Sequence, residues 1–129
     1  MTVFVPGPLR NPLNGQRDIW QKHRRWAKQW RERTAERLRL ALLTPRRLEV
    51  DPRTPKRITF TAHVASLWDD DNLPAGLKSI RDGLRDGGII HDDGPASGHT
   101  FVYAQVRDRA NRGVEIEWTV APSSPASSP

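Results

Sequence analysis

From Asp18 to Leu43 one apolar stripe runs through the chain: His23, Trp26 with Ala27, Trp30, Thr34, Leu38 and Ala41 recur at spacings of three and four. That period predicts a helix with one buried face. Arg25, Lys28, Glu32, Arg33, Glu36 and Arg39 fall mostly on the other side, and Pro45 ends the run. Whether the helix is broken near Trp20–His23 the periodicity leaves open. A stripe of this length has to be covered, and what surrounds it reads as sheet.

Thr2 to Val5 is a short first strand stopped by Pro6-Gly7-Pro8, and the stretch to Gly15 is loop. After a Pro/Arg-rich connector, Thr44 to Lys56, the residues from Arg57 to Trp68 alternate. Ile58, Phe60, Ala62, Val64 and Trp68 take one side, and Thr59, Thr61 and His63 the other. Asn72 suits a cap and Pro74 a first turn. Leu73, Leu77, Ile80 and Leu84 then mark the buried side of a second helix, to about Arg85. Gly87-Gly88 stops it, and Ile89-Ile90 is a short apolar run, a candidate strand. Phe101–Val106 and Val114–Val120 read as a hairpin joined through Asn111-Arg112-Gly113. The order predicts a compact α+β single domain over residues 1–120, a mixed sheet with two main helices packed on it. Ala121 to Pro129 is a Pro/Ser tail expected to be disordered.

At 129 residues one domain is allowed, and two well-packed ones are not. With no cysteine, disulfides and thiolate metal sites are excluded. The longest apolar run, Leu40 to Leu43, is far short of the roughly 20 residues that span a bilayer. No signal peptide is read at the N-terminus. The expectation is a cytoplasmic protein, of a bacterial host if phage or prophage encoded, with no membrane partner.

The net charge of +6 is unevenly divided. From Arg17 to Arg47 eleven Lys and Arg face three Asp and Glu, a balance of +8; from Asp69 to Asp93 three face seven, or −4. A basic segment draws phosphate and an acidic one draws a divalent cation, the pairing a metal-dependent nuclease needs. The alternative is a basic helix that is simply solvated.

Asp69, Asp70 and Asp71 are consecutive at a strand end, where like charges raise one another's pKa unless a cation offsets them. In a strand Asp69 and Asp71 would share a side, with Asp70 on the other. Mg²⁺, which takes oxygen ligands and keeps water, suits such a pair. Asp92-Asp93 supplies a second pair after the helix, and together they make a site able to activate water against a phosphodiester. The other reading of Asp69 to Asn72 is a helix-capping acidic turn. Lys78 either meets charge on a phosphoryl group or pairs with Asp82, four residues on. His91 abuts the acidic pair without a defined role. No Gly-rich phosphate loop, Ser-His-Asp order or zinc pattern appears, so no nucleotide cofactor is expected.

Asp69-Asp70-Asp71-Asn72-Leu73, Leu77-Lys78, Asp82-Gly83-Leu84 and Gly88-Ile89-Ile90-His91-Asp92-Asp93 resemble the signature of RusA-type Holliday-junction resolvases in their phage form. Pro12-Leu13-Asn14, Trp26, Lys28, Trp30-Arg31 and the Arg57–Thr61 strand are similar upstream. Gln105 and Gly113-Val114-Glu115-Ile116 are similar downstream, so the likeness spans about residues 2 to 120. It implies a RusA-like fold, a homodimer, and a crossover junction endodeoxyribonuclease using Mg²⁺ or Mn²⁺. It assigns catalysis to Asp69, Asp71 and Asp93, with Lys78 as the lysine, and metal binding to Asp69, Asp71, Asp92 and Asp93. The bacterial pattern places its lysine three residues after the Asn; here Ala75 stands there and Lys78 comes six after.

A four-way junction offers two equivalent strands about a two-fold axis, and one chain carries one acidic cluster, which independently favours a C2 dimer. Arg24, Arg25, Lys28, Arg31 and Arg33 are the candidate phosphate contacts. Trp20, Trp26 and Trp30 are suited to stacking on unpaired bases, although the stripe places the last two in the core. Two alternatives stand beside the resolvase: a fork- or flap-preferring nuclease of the same fold, and a branched-DNA binder without catalysis.

Overall fold

The computed structural model describes residues 1–9, 20–43 and 50–120, with the side chains of 20–23 excepted. The expected disorder of the tail, the loop through Pro12-Leu13-Asn14, and the roles of Trp20 and His23 lie outside what is described. Strand β1 spans Thr2–Pro6, helix α1 Trp20–Leu42 and strand β2 Lys56–Val64. A 3-10 turn at Asp70–Asn72 leads into a single helical turn, α2, at Leu73–Gly76, and then α3 at Lys78–Asp86. Strands β3 (Thr100–Arg107) and β4 (Gly113–Val120) follow.

The four strands form one mixed sheet in the order β1-β4-β2-β3. β4 runs antiparallel to both β1 and β2, while β2 and β3 are parallel, with Phe60 beside Tyr103 and Ala62 beside Gln105. The alternation read in β2 holds: Ile58, Phe60, Ala62 and Val64 are buried, and Thr59, Thr61 and His63 are half-exposed on the opposite face. On the buried face the Phe60 ring stacks with Phe101 and Tyr103, centroids 6.3 and 5.4 Å away.

Three expectations are corrected. β3 and β4 are not a hairpin, because β2 lies between them. The buried side chains of β2 need neighbours on both edges, whereas those of β3 are at most half-buried and suit a sheet margin. The five residues 108–112 cross the end of β2, a span of about 10 Å at ordinary strand spacing. They are pinned there by the Asp108 amide donating to the Val64 carbonyl at 2.9 Å. Second, β2 stops at Val64 and does not run on to Trp68. Third, Ile89-Ile90 is buried but is not a strand. There α3 ends on Gly88, at φ +82°; the Gly88 amide donates to Arg85 and the Ile89 amide to Leu84. That pattern of two reversed hydrogen bonds about a left-handed glycine turns the chain sharply and drops the next apolar side chain onto the helix end.

The stripe of α1 faces inward as expected, with Trp30, Thr34 and Leu38 buried and Trp26 packed at the core's margin. The indole N–H of Trp30 donates to the Pro8 carbonyl at 3.2 Å. α1 lies so close to α3 that a Cβ on Gly83 would sit 2.7 Å from Thr34 Cβ and 2.9 Å from the Arg31 carbonyl oxygen. Only glycine permits that approach. α3 thus lies alongside α1, which itself packs against β1, and Arg81 on the next face of α3 reaches Tyr103 of β3.

Candidate functional site

Asp69 is extended (φ −63°, ψ 135°), and Asp70, Asp71 and Asn72 form the 3-10 turn, closed by the Asn72 amide donating to the Asp69 carbonyl at 2.9 Å. The strand geometry that would have put Asp69 and Asp71 on one side does not extend this far. All three carboxylates are exposed. Neither Asp69 nor Asn72 makes a side-chain capping bond, and the Asn72 side-chain Nδ2 is buried without a hydrogen-bond partner. Pro74 stands in the first turn of α2, as expected.

What fixes the turn is Gln105 of β3. Its carboxamide oxygen accepts from the Trp68 amide at 2.9 Å. Its nitrogen donates to the Trp68 carbonyl at 2.7 Å and to Asp70 Oδ1 at 3.0 Å. A planar amide that pairs with both backbone groups of one residue copies a strand ladder and sets the direction in which the chain leaves. The acid it reaches is Asp70, the one expected to face elsewhere.

Asp93 arrives from the other direction. Released by the turn at Gly88, its Oδ2 lies 3.1 Å from Arg81 Nε on α3. Arg81 Nη1 donates to the Tyr103 hydroxyl at 2.9 Å, and the guanidinium stands 5.5 Å from the centre of the Phe101 ring. Tyr103 and Gln105 are alternate residues of β3 on its helix-facing side, about 7 Å apart. The two acidic segments, remote in sequence, are thereby docked at successive positions of one strand face.

Other expected members are placed differently. Asp92 is exposed, and its charge is felt at His99. Lys78 is exposed at the start of α3, and among the described residues it makes no ion pair with Asp82. His91 is a structural tie: its amide donates to the Pro52 carbonyl at 3.2 Å, and its Nδ1 lies 2.9 Å from the same oxygen. His99 accepts the Lys56 amide on Nδ1. Burial, with Lys56 and His91 nearby, holds its pKa below the usual imidazole value. The donors Asp69, Asp71, Asp92 and Asp93 are chemically right for a hard cation such as Mg²⁺. Their arrangement is not: among the described residues, no three His, Asp or Glu side chains are gathered closely enough to hold a metal ion.

On α1, Arg24, Arg25 and Lys28 are exposed, the last 3.9 Å from Glu32. Arg31 is already engaged, its Nε and Nη2 donating to the Asp86 carboxylate on α3. This bond raises the Arg31 pKa and holds that of Asp86 below the carboxylate range. Arg33 donates to the Pro6 carbonyl at 3.2 Å and covers the Trp30 ring at 5.2 Å. Periodicity and motif reading missed Arg81 and Tyr103 entirely. The signal was a cation three residues after Lys78, on the side of the helix that carries Leu77 and Leu84.

No protein-family model and no curated protein sequence matches this chain. Among the described residues no helix is long and apolar enough to cross a membrane.

Proposed function

We propose that this chain is a structure-selective endodeoxyribonuclease of RusA type, hydrolysing phosphodiesters at four-way and related branched DNA as a homodimer with Mg²⁺ or Mn²⁺. The observation that carries the reading is the docking of the Asp69–Asp71 turn and of Asp93 on one face of β3, through Gln105 and through Arg81 with Tyr103. Acids kept only for solubility need no such fixing by specific side chains of β3 and α3. Arg25 and Lys28 on the exposed side of α1 supply cations for backbone phosphates. Arg31, spent on Asp86, is withdrawn from that role.

A denaturing-gel assay on an immobile four-way junction beside linear duplex, with Mg²⁺ or with EDTA, tests the reading. Symmetric, metal-dependent nicks on the junction are expected. Asp71→Asn is expected to lower cutting at least a hundredfold while junction affinity stays level or rises, because a charge near phosphate is removed. A junction bound tightly but cut under no divalent metal would leave the branched-DNA binder. What favours that second reading is the dispersed geometry of the carboxylates and the guanidinium beside Asp93. Matched fork and flap substrates separate the junction-preferring nuclease from its fork-preferring alternative.

A further inference from the structure

β3 closes the sheet on one side, and its outer edge is open. The Asp108 amide donates to the Val64 carbonyl, and Val64 stands opposite Arg107. In a parallel ladder both backbone groups of a residue point one way and alternate along the strand, so Val102, Ala104 and Val106 bond to β2. Phe101, Tyr103, Gln105 and Arg107 turn their N–H and C=O groups outward. The bonds from Trp118 to Met1 and from Gly7 to Arg112 obey the same alternation carried across the sheet. Among the described residues no hydrogen bond reaches the outward groups, an open ladder of about 20 Å.

The opposite edge is guarded: β1 has five residues, and its last, Pro6, has no amide to offer. β3 carries neither proline nor lysine, and its single charge is Arg107, at the end. On the face away from the helices, Val102, Ala104 and Val106 stand beside Thr59, Thr61 and His63, and Val106 is 41% exposed. Any extended strand would satisfy the ladder; β3 itself also matches this apolar row. In an antiparallel pairing centred on Ala104, Phe101 meets Arg107 of the second copy and Tyr103 meets Gln105. Every outward group is then bonded, by about eight hydrogen bonds in all. Val102 falls beside Val106 on both sides of the axis. Ala104, the smallest side chain of the strand, meets its own copy, where non-bonded pairs approach most closely. Arg107 is set against an aromatic ring, so no like charges are opposed.

We infer that a second copy of this chain docks on the outer edge of β3, strand against strand about a two-fold axis at Ala104. The two sheets become one. Both acidic segments, docked through Tyr103 and Gln105, stand on the same face of it and flank the axis. The inference rests on the homodimer of the proposed function and names its interface.

Sedimentation velocity on the full chain across a range of concentrations tests it, with wild type, Ala104→Lys, Ala104→Glu and an equimolar mixture of the two variants. Circular dichroism checks that each is folded. Val106→Lys with Val102→Glu takes their place should either misfold, since those positions face one another across the axis. Wild type is expected as a dimer. Each Ala104 variant alone opposes two like charges at the axis and is expected to dissociate at least tenfold more readily, while the mixture regains dimers. Variants that dimerise as wild type does, or a mixture as dissociated as its parts, would overturn this interface, and a dimeric wild type would then spare the homodimer. A wild type that is monomeric at every concentration removes both. Junction cleavage on the same preparations reads the hydrolysis apart from the assembly.

Discussion

Replacing Gln105 by Glu changes one atom of a side chain that makes three hydrogen bonds, and its cost can be worked through. The carboxamide oxygen that accepts from Trp68 is kept. The nitrogen that donates to the Trp68 carbonyl at 2.7 Å and to Asp70 at 3.0 Å becomes an oxygen facing two oxygens. Losing the bonds costs about 0.5–1.5 kcal/mol each. Repulsion between two carboxylates 3.0 Å apart adds about 1.4 kcal/mol at the dielectric of water. Because Asp70 is exposed and moves away at some cost in order, about 2–3 kcal/mol is expected at pH 7. Gln105→Ala, which lets water take over the freed groups, should cost about 1–2 kcal/mol. The two variants differ in their dependence on pH. Repulsion raises the folded-state pKa of the introduced carboxyl, so its penalty is absent below the unfolded value near 4 and grows as pH rises through the folded one. Urea unfolding at pH 7 and pH 3.5 reads all of this, with Gln105→Glu recovering toward wild type at the lower pH. A Gln105→Glu chain as stable as wild type at pH 7, or one indistinguishable from Gln105→Ala at both, would show that the amide does not hold the acidic turn.

Gly83→Ala places a methyl group against Thr34 Cβ and the Arg31 carbonyl, both under 3 Å from it, and should cost about 1–3 kcal/mol in urea unfolding by forcing α1 and α3 apart. Asp86→Asn removes a carboxylate whose pKa Arg31 depresses. In wild type the pair's contribution is present above the unfolded carboxylate value and lost as pH falls through the lower folded one, so the variant should show a shallower loss of stability on acidification. At 40% and 33% exposure the pair is solvent-screened, and the difference at pH 7 should stay within about 1 kcal/mol and shrink with salt.

The elements themselves were legible wherever one period ran long. The stripe from Trp26 to Ala41 and the alternation from Ile58 to Val64 each encode which side chains leave water, and burial follows that pattern closely. Neighbour relations were not. Asn111-Arg112-Gly113 reads as a hairpin turn because a local signal records that the chain reverses, not which strand stands beside it. The end of β2 was overrun because Trp68 kept the alternation in step; Trp68 is instead held by Gln105, 37 residues on. At the site, Asp70 and Asp93 are side chains whose direction depends on partners from β3 and α3. No spacing within Trp68–Asp93 reveals Tyr103 or Gln105. Arg31 looked like a free cation because its acid lies on another helix, 55 residues away.

The place of β4 governs how the molecule can come into being. It is the last strand of the described chain, yet it lies between β1 and β2, so neither has its antiparallel partner until Gly113–Val120 has been synthesised. Before then Val3, Val5, Ile58 and Phe60 belong to two separate strands with open ladders, the kind of edge that recruits other chains. Fragments that stop short of Gly113 are therefore expected to aggregate, not to fold in part. Assembly of the sheet becomes a single late event dominated by contacts distant in sequence, and slow for that reason.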